Sequence, residues 1–154
     1  MRTVGLLLLF AVSSLGGIAF SRRAGRSVAQ LREILRLLEH IEVRSMTCFE
    51  ALPDIYDSFS SPELSSCGFW DAWRRDPASA LRCVHIPEEA NEALLRLSEK
   101  LGKGGRELTG EQIRSARAAL ADITEEEEKK LPQKQKAALT LGFSIGALSL
   151  LLLW

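Results

Sequence analysis

The residues whose types and spacing could do chemistry fall in short clusters. Gly102-Lys103-Gly104-Gly105 has the composition of a phosphate loop. Such a loop needs two glycines flanking four residues and then Lys-Ser/Thr at the head of a helix; here the order differs and Arg106 follows, so a helix C-cap with a turn is the better reading. Cys83-Val84-His85 offers two metal donors with no further ligand nearby, where a structural zinc takes four. Glu125 to Glu128 are four consecutive carboxylates that point around a helix and cannot converge on one cation, and with Lys129 and Lys130 behind them they read as a solvated stretch. His40 sits beside Leu38 and Ile41 with no sequence neighbour to act with. Trp70 and Trp73, three apart, share a helical face and read as core anchors rather than as a platform for stacking a ligand. No nucleophile accompanied by a base and an orienting group can be assembled. The expectation is a protein with no catalytic residues, no cofactor, no metal and no small-molecule substrate.

The elements that must position these residues are set first by the two ends. Val4 to Phe20 contains no charge, and as a helix it spans about 26 Å, close to the hydrocarbon thickness of a bilayer. A cleaved signal peptide competes, because Gly17-Ile18-Ala19 is a passable small-x-small site. Arg22, Arg23 and Arg26 follow the run at once and only Arg2 precedes it, which favours an uncleaved anchor with its downstream flank on the cytoplasmic side. Ala137 to Trp154 is likewise uncharged, and Lys129, Lys130, Lys134 and Lys136 stand before it, so its upstream flank is placed on the same side. Gly142-Phe143-Ser144-Ile145-Gly146 gives the second run a face of small residues, and Ser13 with Gly17 gives the first a similar one. Faces of this kind let helix backbones approach closely in a membrane, although glycine and serine are also simply common there.

Between the ends, Val28, Leu31, Leu35, Leu38 and Ile41 recur at helical steps with charges between them. Thr47-Cys48-Phe49-Glu50 has the form of a capping box that starts a second helix, bent at Pro53, and Ser58 to Pro62 closes that segment. Phe69 to Val84 reads as helix interrupted near Asp76-Pro77. Pro87 with Glu88 and Glu89 starts a helix whose inner stripe is Ala90, Leu94, Leu97 and Leu101, ended by the glycines from Gly102. Thr109-Gly110-Glu111-Gln112 is a second capping box, with Leu108 and Ile113 placed as a hydrophobic staple, and Ile113, Ala116, Leu120 and Ile123 then point inward. Period-two alternation is absent. The fold expected is all-α: an antiparallel helical bundle over residues 22–136, flanked by transmembrane helices over 1–21 and 137–154.

The 154 residues are enough for one domain with a full core. All 20 acidic residues and 19 of the 20 basic ones lie between Arg22 and Lys136, so the middle is close to neutral and offers no basic field for nucleic acid. Cys48, Cys67 and Cys83 are odd in number and lack C-x-x-C spacing, which points to reduced thiols rather than a disulfide framework.

Taken in order, these motifs resemble the stage III sporulation protein AB family of endospore-forming bacteria. The resemblance rests on the N-terminal anchor, Leu31 to Glu39, the threonine at 47, Ala72-Trp73, Leu97 to Gly102 before a polar turn, the Gln112-led helix, and the lysine-rich lead into a glycine-containing tail. The chain departs from the family at Cys48, where proline is usual, in a shortened Ser60 to Phe69, and at Gly102 to Gly105. The resemblance implies a non-enzymatic platform or scaffold in the secretion-like channel assembly between mother cell and forespore. It would lie in the mother-cell membrane around the forespore, with its central domain cytoplasmic and similar to the helical domain of the type II secretion inner-membrane platform. Its partners would be a secretion-type ATPase, other membrane channel components and membrane lipid. The alternative is a membrane-tethered regulator that recruits a cytoplasmic factor. With both ends tied to the membrane, Arg44, Lys103 and Arg106 fall at the far end of the bundle and are the residues expected to meet an acidic surface of the ATPase.

Overall fold

The computed structural model describes residues 2–48, 51–101 and 106–153, and for residues 2–10, 47, 106, 107, 149, 150, 152 and 153 it describes the backbone alone. The described residues are all-α: α1 Arg2–Val43, a π-helical turn Arg44–Cys48, α2 Leu52–Ser58, α3 Pro62–Ser66, α4 Phe69–Trp73, α5 Pro77–Leu81, α6 Glu88–Lys100 and α7 Arg106–Leu153. They form two compact units, one of residues up to Arg26 with those from Glu127 onward, the other Ser27–Glu126.

The core of the Ser27–Glu126 unit is a single cluster. Leu31, Ile34, Leu37, Leu38 and Ile41 from α1 meet Ile55, Leu64, Phe69, Ala80 and Leu81 from the short helices, Leu94 and Leu97 from α6, and Ile113 and Leu120 from α7. Burying each of these large side chains is worth about 1.5–3 kcal/mol, which more than offsets the weak intrinsic stability of helices only five to seven residues long. Gln30, itself buried, accepts the amide of His85 at 2.7 Å, so the turn between α5 and α6 is pinned to α1.

Prolines and caps set the short helices. Ser61 is buried and its hydroxyl accepts the Leu64 amide at 3.3 Å, with Pro62 next, so a helix does form within the segment 60–69. Gly68 follows α3 at φ +75, the left-handed position that ends a helix and that a side chain would strain. The break expected at Asp76-Pro77 is present: Asp76 is extended and its carboxylate accepts the amides of Ala78 at 3.2 Å and Ser79 at 2.9 Å. Replacing Asp76 by Ala should therefore cost about 0.5–2 kcal/mol, read as a lowered urea midpoint for the full chain in a non-ionic detergent.

Three local expectations are corrected. Thr47 does not start a helix; it lies inside the π-turn that prolongs α1, and Phe49 and Glu50 lie outside the described residues. The next helix begins at Leu52 after an extended Ala51, and Pro53 occupies its first turn, where the missing N–H is no loss and no bend is needed. Thr109 is not a cap either, since α7 already starts at Arg106; Glu107 and Leu108 are good helix formers with no breaker before Thr109. Leu108 is exposed while Ile113 is fully buried.

At the ends, among the described residues no helix is long and apolar enough to cross a membrane. Much of both apolar runs, the side chains of Val4 to Phe10 and of Ser149, Leu150, Leu152 and Leu153 together with Trp154, lies outside the described residues. α1 and α7 contain the basic flanks Arg22 to Arg26 and Lys129 to Lys136 without interruption, and Pro132 sits inside α7.

Candidate functional site

In the unit formed by the two ends, the predicted small residues meet one another. A Cβ added at Gly17 would lie 2.8 Å from the Ala138 carbonyl oxygen and 3.5 Å from Gly142 Cα; one added at Gly142 would lie 3.0 Å from the Ser13 carbonyl oxygen and 3.2 Å from Gly17 Cα. Ser13 Oγ donates to the Gly142 carbonyl at 2.9 Å, a hydrogen bond between the start of α1 and the end of α7. Gly146 is buried as well. Ser13, Gly17 and Gly142 thus lie together where the two segments meet. Gly16, next to Gly17, has nothing within 4 Å and faces outward.

The outward surface of this unit inverts the usual arrangement. Of the twelve exposed large apolar residues described, ten belong to it, including Val12, Leu15, Phe20, Leu141, Phe143 and Leu151; only Val43 and Leu108 belong to the other unit.

The basic residues expected to recognise a partner are placed unevenly. Arg44 opens the π-turn, Arg106 opens α7 with its side chain outside the described residues, and Lys103 lies outside them altogether. The end of α1 and the beginning of α7 do lie together: a Cβ on Gly110 would come within 2.9 Å of Met46 Sδ, and Glu42 pairs with Arg117 at 2.9 Å and Arg114 at 3.5 Å.

The other clusters resolve into structural roles. His40 Nε2 lies 2.9 Å from Ser58 Oγ, but that hydroxyl donates to the Ile55 carbonyl at 2.8 Å, so the histidine donates to it and the pair holds the end of α2 instead of activating a nucleophile. The Cys83 thiol donates to the Ser79 carbonyl at 3.6 Å, and no group of three metal-ligating side chains occurs among the described residues. Burial pushes the Cys67 thiol above its usual range, against the pull of the Phe69 amide. All three cysteines are free.

One feature was not legible in the sequence. A cleft of about 630 Å³ opens in the Ser27–Glu126 unit, walled by Tyr56, Phe59, Trp70 and Trp73, with Asp57 and Arg74 at its lining. Tyr56 meets Trp73 edge to face at 5.5 Å, and Phe59 meets Trp70 at 5.9 Å. Burial raises the Tyr56 phenol, partly offset by a hydrogen bond with the Trp73 side chain. The tryptophan spacing was visible; that residues of α2 face it is a tertiary fact with no local signal.

Compared with known families, residues 60–154 match the family described as stage III sporulation protein AB. No curated protein and no solved structure matches the chain.

Proposed function

Since this chain belongs to the stage III sporulation protein AB family, with a role in sporulation, we propose that it is a non-enzymatic membrane platform of the sporulating cell. In this reading each end carries a membrane-spanning helix, the two pair through Ser13, Gly17 and Gly142, and the Ser27–Glu126 unit is held at the cytoplasmic face to receive an ATPase of a secretion-like assembly. The observation that carries it is the inverted unit at the ends, with glycines inside and leucine, isoleucine, valine and phenylalanine outside. An apolar exterior of that extent in water would be an aggregation surface, whereas in hydrocarbon it is neutral. The basic flanks at Arg22 to Arg26 and Lys129 to Lys136 supply the orientation.

Cys48 is exposed and makes the test direct. The full chain should fractionate with membranes of sporulating cells, and Cys48 should resist a membrane-impermeant maleimide until the cells are opened. Purified from those membranes, the protein should bring an ATPase with it. Recovery in the soluble fraction would overturn the membrane reading; labelling of Cys48 from outside would overturn the cytoplasmic placement; membrane recovery without an ATPase would overturn the platform role alone.

A further inference from the structure

We propose that the basic border of the unit formed by the two ends holds an anionic phospholipid, with its phosphate at Lys136 and the first part of an acyl chain along the adjoining face of α7. The inference rests on the membrane reading and adds to it a ligand and a seat. On both helices of this unit the exposed surface changes character at one level. α1 shows Val12, Leu15, Ile18 and Phe20 and then Arg22, Arg23 and Arg26; α7, running the other way, shows Lys134 and Lys136 and then Leu139, Leu141 and Phe143. The two borders lie side by side, since a Cβ on Gly25 would come within 3.7 Å of Gln135 Nε2.

The charge at that border is one-sided. Arg22 to Arg26 and Glu127 to Lys136 together contain seven basic residues and two acidic ones, and of the two acids Glu127 is paired with Lys134 at 2.6 Å. Arg22, Arg23, Arg26 and Lys136 are exposed and form no ion pair among the described residues. The Ser27–Glu126 unit has the opposite excess, 18 acidic residues to 12 basic, so the neutral total conceals a cationic collar. A collar of that sign attracts phosphate, which a cytoplasmic leaflet containing anionic lipid presents at this level.

The seat is a groove of about 730 Å³ along α7, with Lys129, Gln133 and Lys136 at one end and Ala137, Thr140 and Leu141 at the other. At about 1.5 Å per residue this stripe is roughly 18 Å long, enough for a headgroup and the upper part of one chain. Lys129 is already engaged within the protein, which leaves the Lys136 ammonium and the Gln133 amide to donate to phosphate oxygens. Only an amphipathic anion uses both halves of the groove. Nucleic acid or an acidic peptide would leave Leu141 and its exposed neighbours uncovered, and a zwitterionic lipid would bring a cation of its own to the collar.

The test uses the full chain reconstituted in phosphatidylcholine vesicles with a trace of spin-labelled phosphatidylglycerol or spin-labelled phosphatidylcholine, the motionally restricted fraction of each being read by electron paramagnetic resonance. Phosphatidylglycerol should associate about fivefold more strongly than phosphatidylcholine. Lys136→Gln should roughly halve that ratio, whereas Lys100→Gln, which removes the same charge from the end of α6, should leave it unchanged. Both lysines are exposed, so neither substitution disturbs the core. Potassium phosphate should lower the ratio no more than potassium chloride of equal ionic strength, because a free anion has no use for the apolar half. Equal restricted fractions for the two lipids would overturn the proposal alone, and the absence of any restricted fraction would overturn the membrane reading with it. A ratio that survives Lys136→Gln, that falls as far with Lys100→Gln, or that phosphate abolishes where chloride does not would also overturn the proposal.

Discussion

Replacing Phe69 with alanine should destabilise the Ser27–Glu126 unit by about 3–5 kcal/mol, the usual cost of emptying a core aromatic site. The ring is 1% exposed, stacks on Trp73 at 5.3 Å and meets Trp70 edge to face at 5.2 Å. It sits at the start of α4, a helix of five residues that has too few hydrogen bonds to stand without its tertiary contacts. Removing it leaves a void that the surrounding α1 and α6 side chains cannot fill, since these belong to long helices with fixed spacing, and it releases the two tryptophans that wall the cleft. Urea unfolding of the full chain in non-ionic detergent, followed by tryptophan emission, should show a lower midpoint and a native emission already shifted to the red. A loss under about 1 kcal/mol would mean that α4 is not anchored through this residue.

The second large effect is expected at the glycine contact between the two ends. Valine at Gly17 must displace the Ala138 carbonyl, and valine at Gly142 must displace the Ser13 carbonyl, because the added atoms would start 2.8 and 3.0 Å from backbone that has no rotamer to yield. Overpacking of this kind costs about 1–3 kcal/mol at each site, and the Ser13 to Gly142 hydrogen bond is stretched along with it. Gly16→Val is the matched control, one residue away with nothing within 4 Å. Spin labels at the exposed positions Val12 and Leu141 should report a single short distance in the parent chain and in Gly16→Val, and a longer or broadened distribution in Gly17→Val/Gly142→Val. An unchanged distribution in the double variant would show that the two segments are not held by this contact.

How far the sequence carried depends on the range of the interaction concerned. Helical periodicity selected Leu31, Leu38 and Ile41 on α1, Ala90, Leu94 and Leu97 on α6, and Ile113 and Leu120 on α7, all of which are in the core. A repeating apolar stripe has no other stable use in water, which is why it reads reliably. The small residues were visible as pairs, Ser13 with Gly17 and Gly142 with Gly146, each one helical turn apart. Helix ends were less so. Thr47 and Thr109 both open the pattern Thr-x-x-Glu/Gln, yet the same residues are tolerated inside a helix, and the backbone continues through them because neither glycine nor proline precedes them closely enough to stop it. The breaks that did follow their signals lie at Gly68 and before Pro77, residues that free or restrict the backbone itself. The cleft was illegible since Tyr56 and Phe59 approach Trp70 and Trp73 only after the short helices have packed.

The hydrogen bond from Ser13 to Gly142 joins residues 129 positions apart. During synthesis that separation becomes an interval. At about 5–20 residues per second, the ribosome needs roughly 6–26 seconds after making Ser13 to reach Gly142. All of Ser27–Glu126 is made within that wait, so its core can close before the second terminal segment exists. The first segment must meanwhile remain without its mate, its glycine face uncovered. The order of manufacture thus leaves the helical core free to close before the end-to-end contact can form at all.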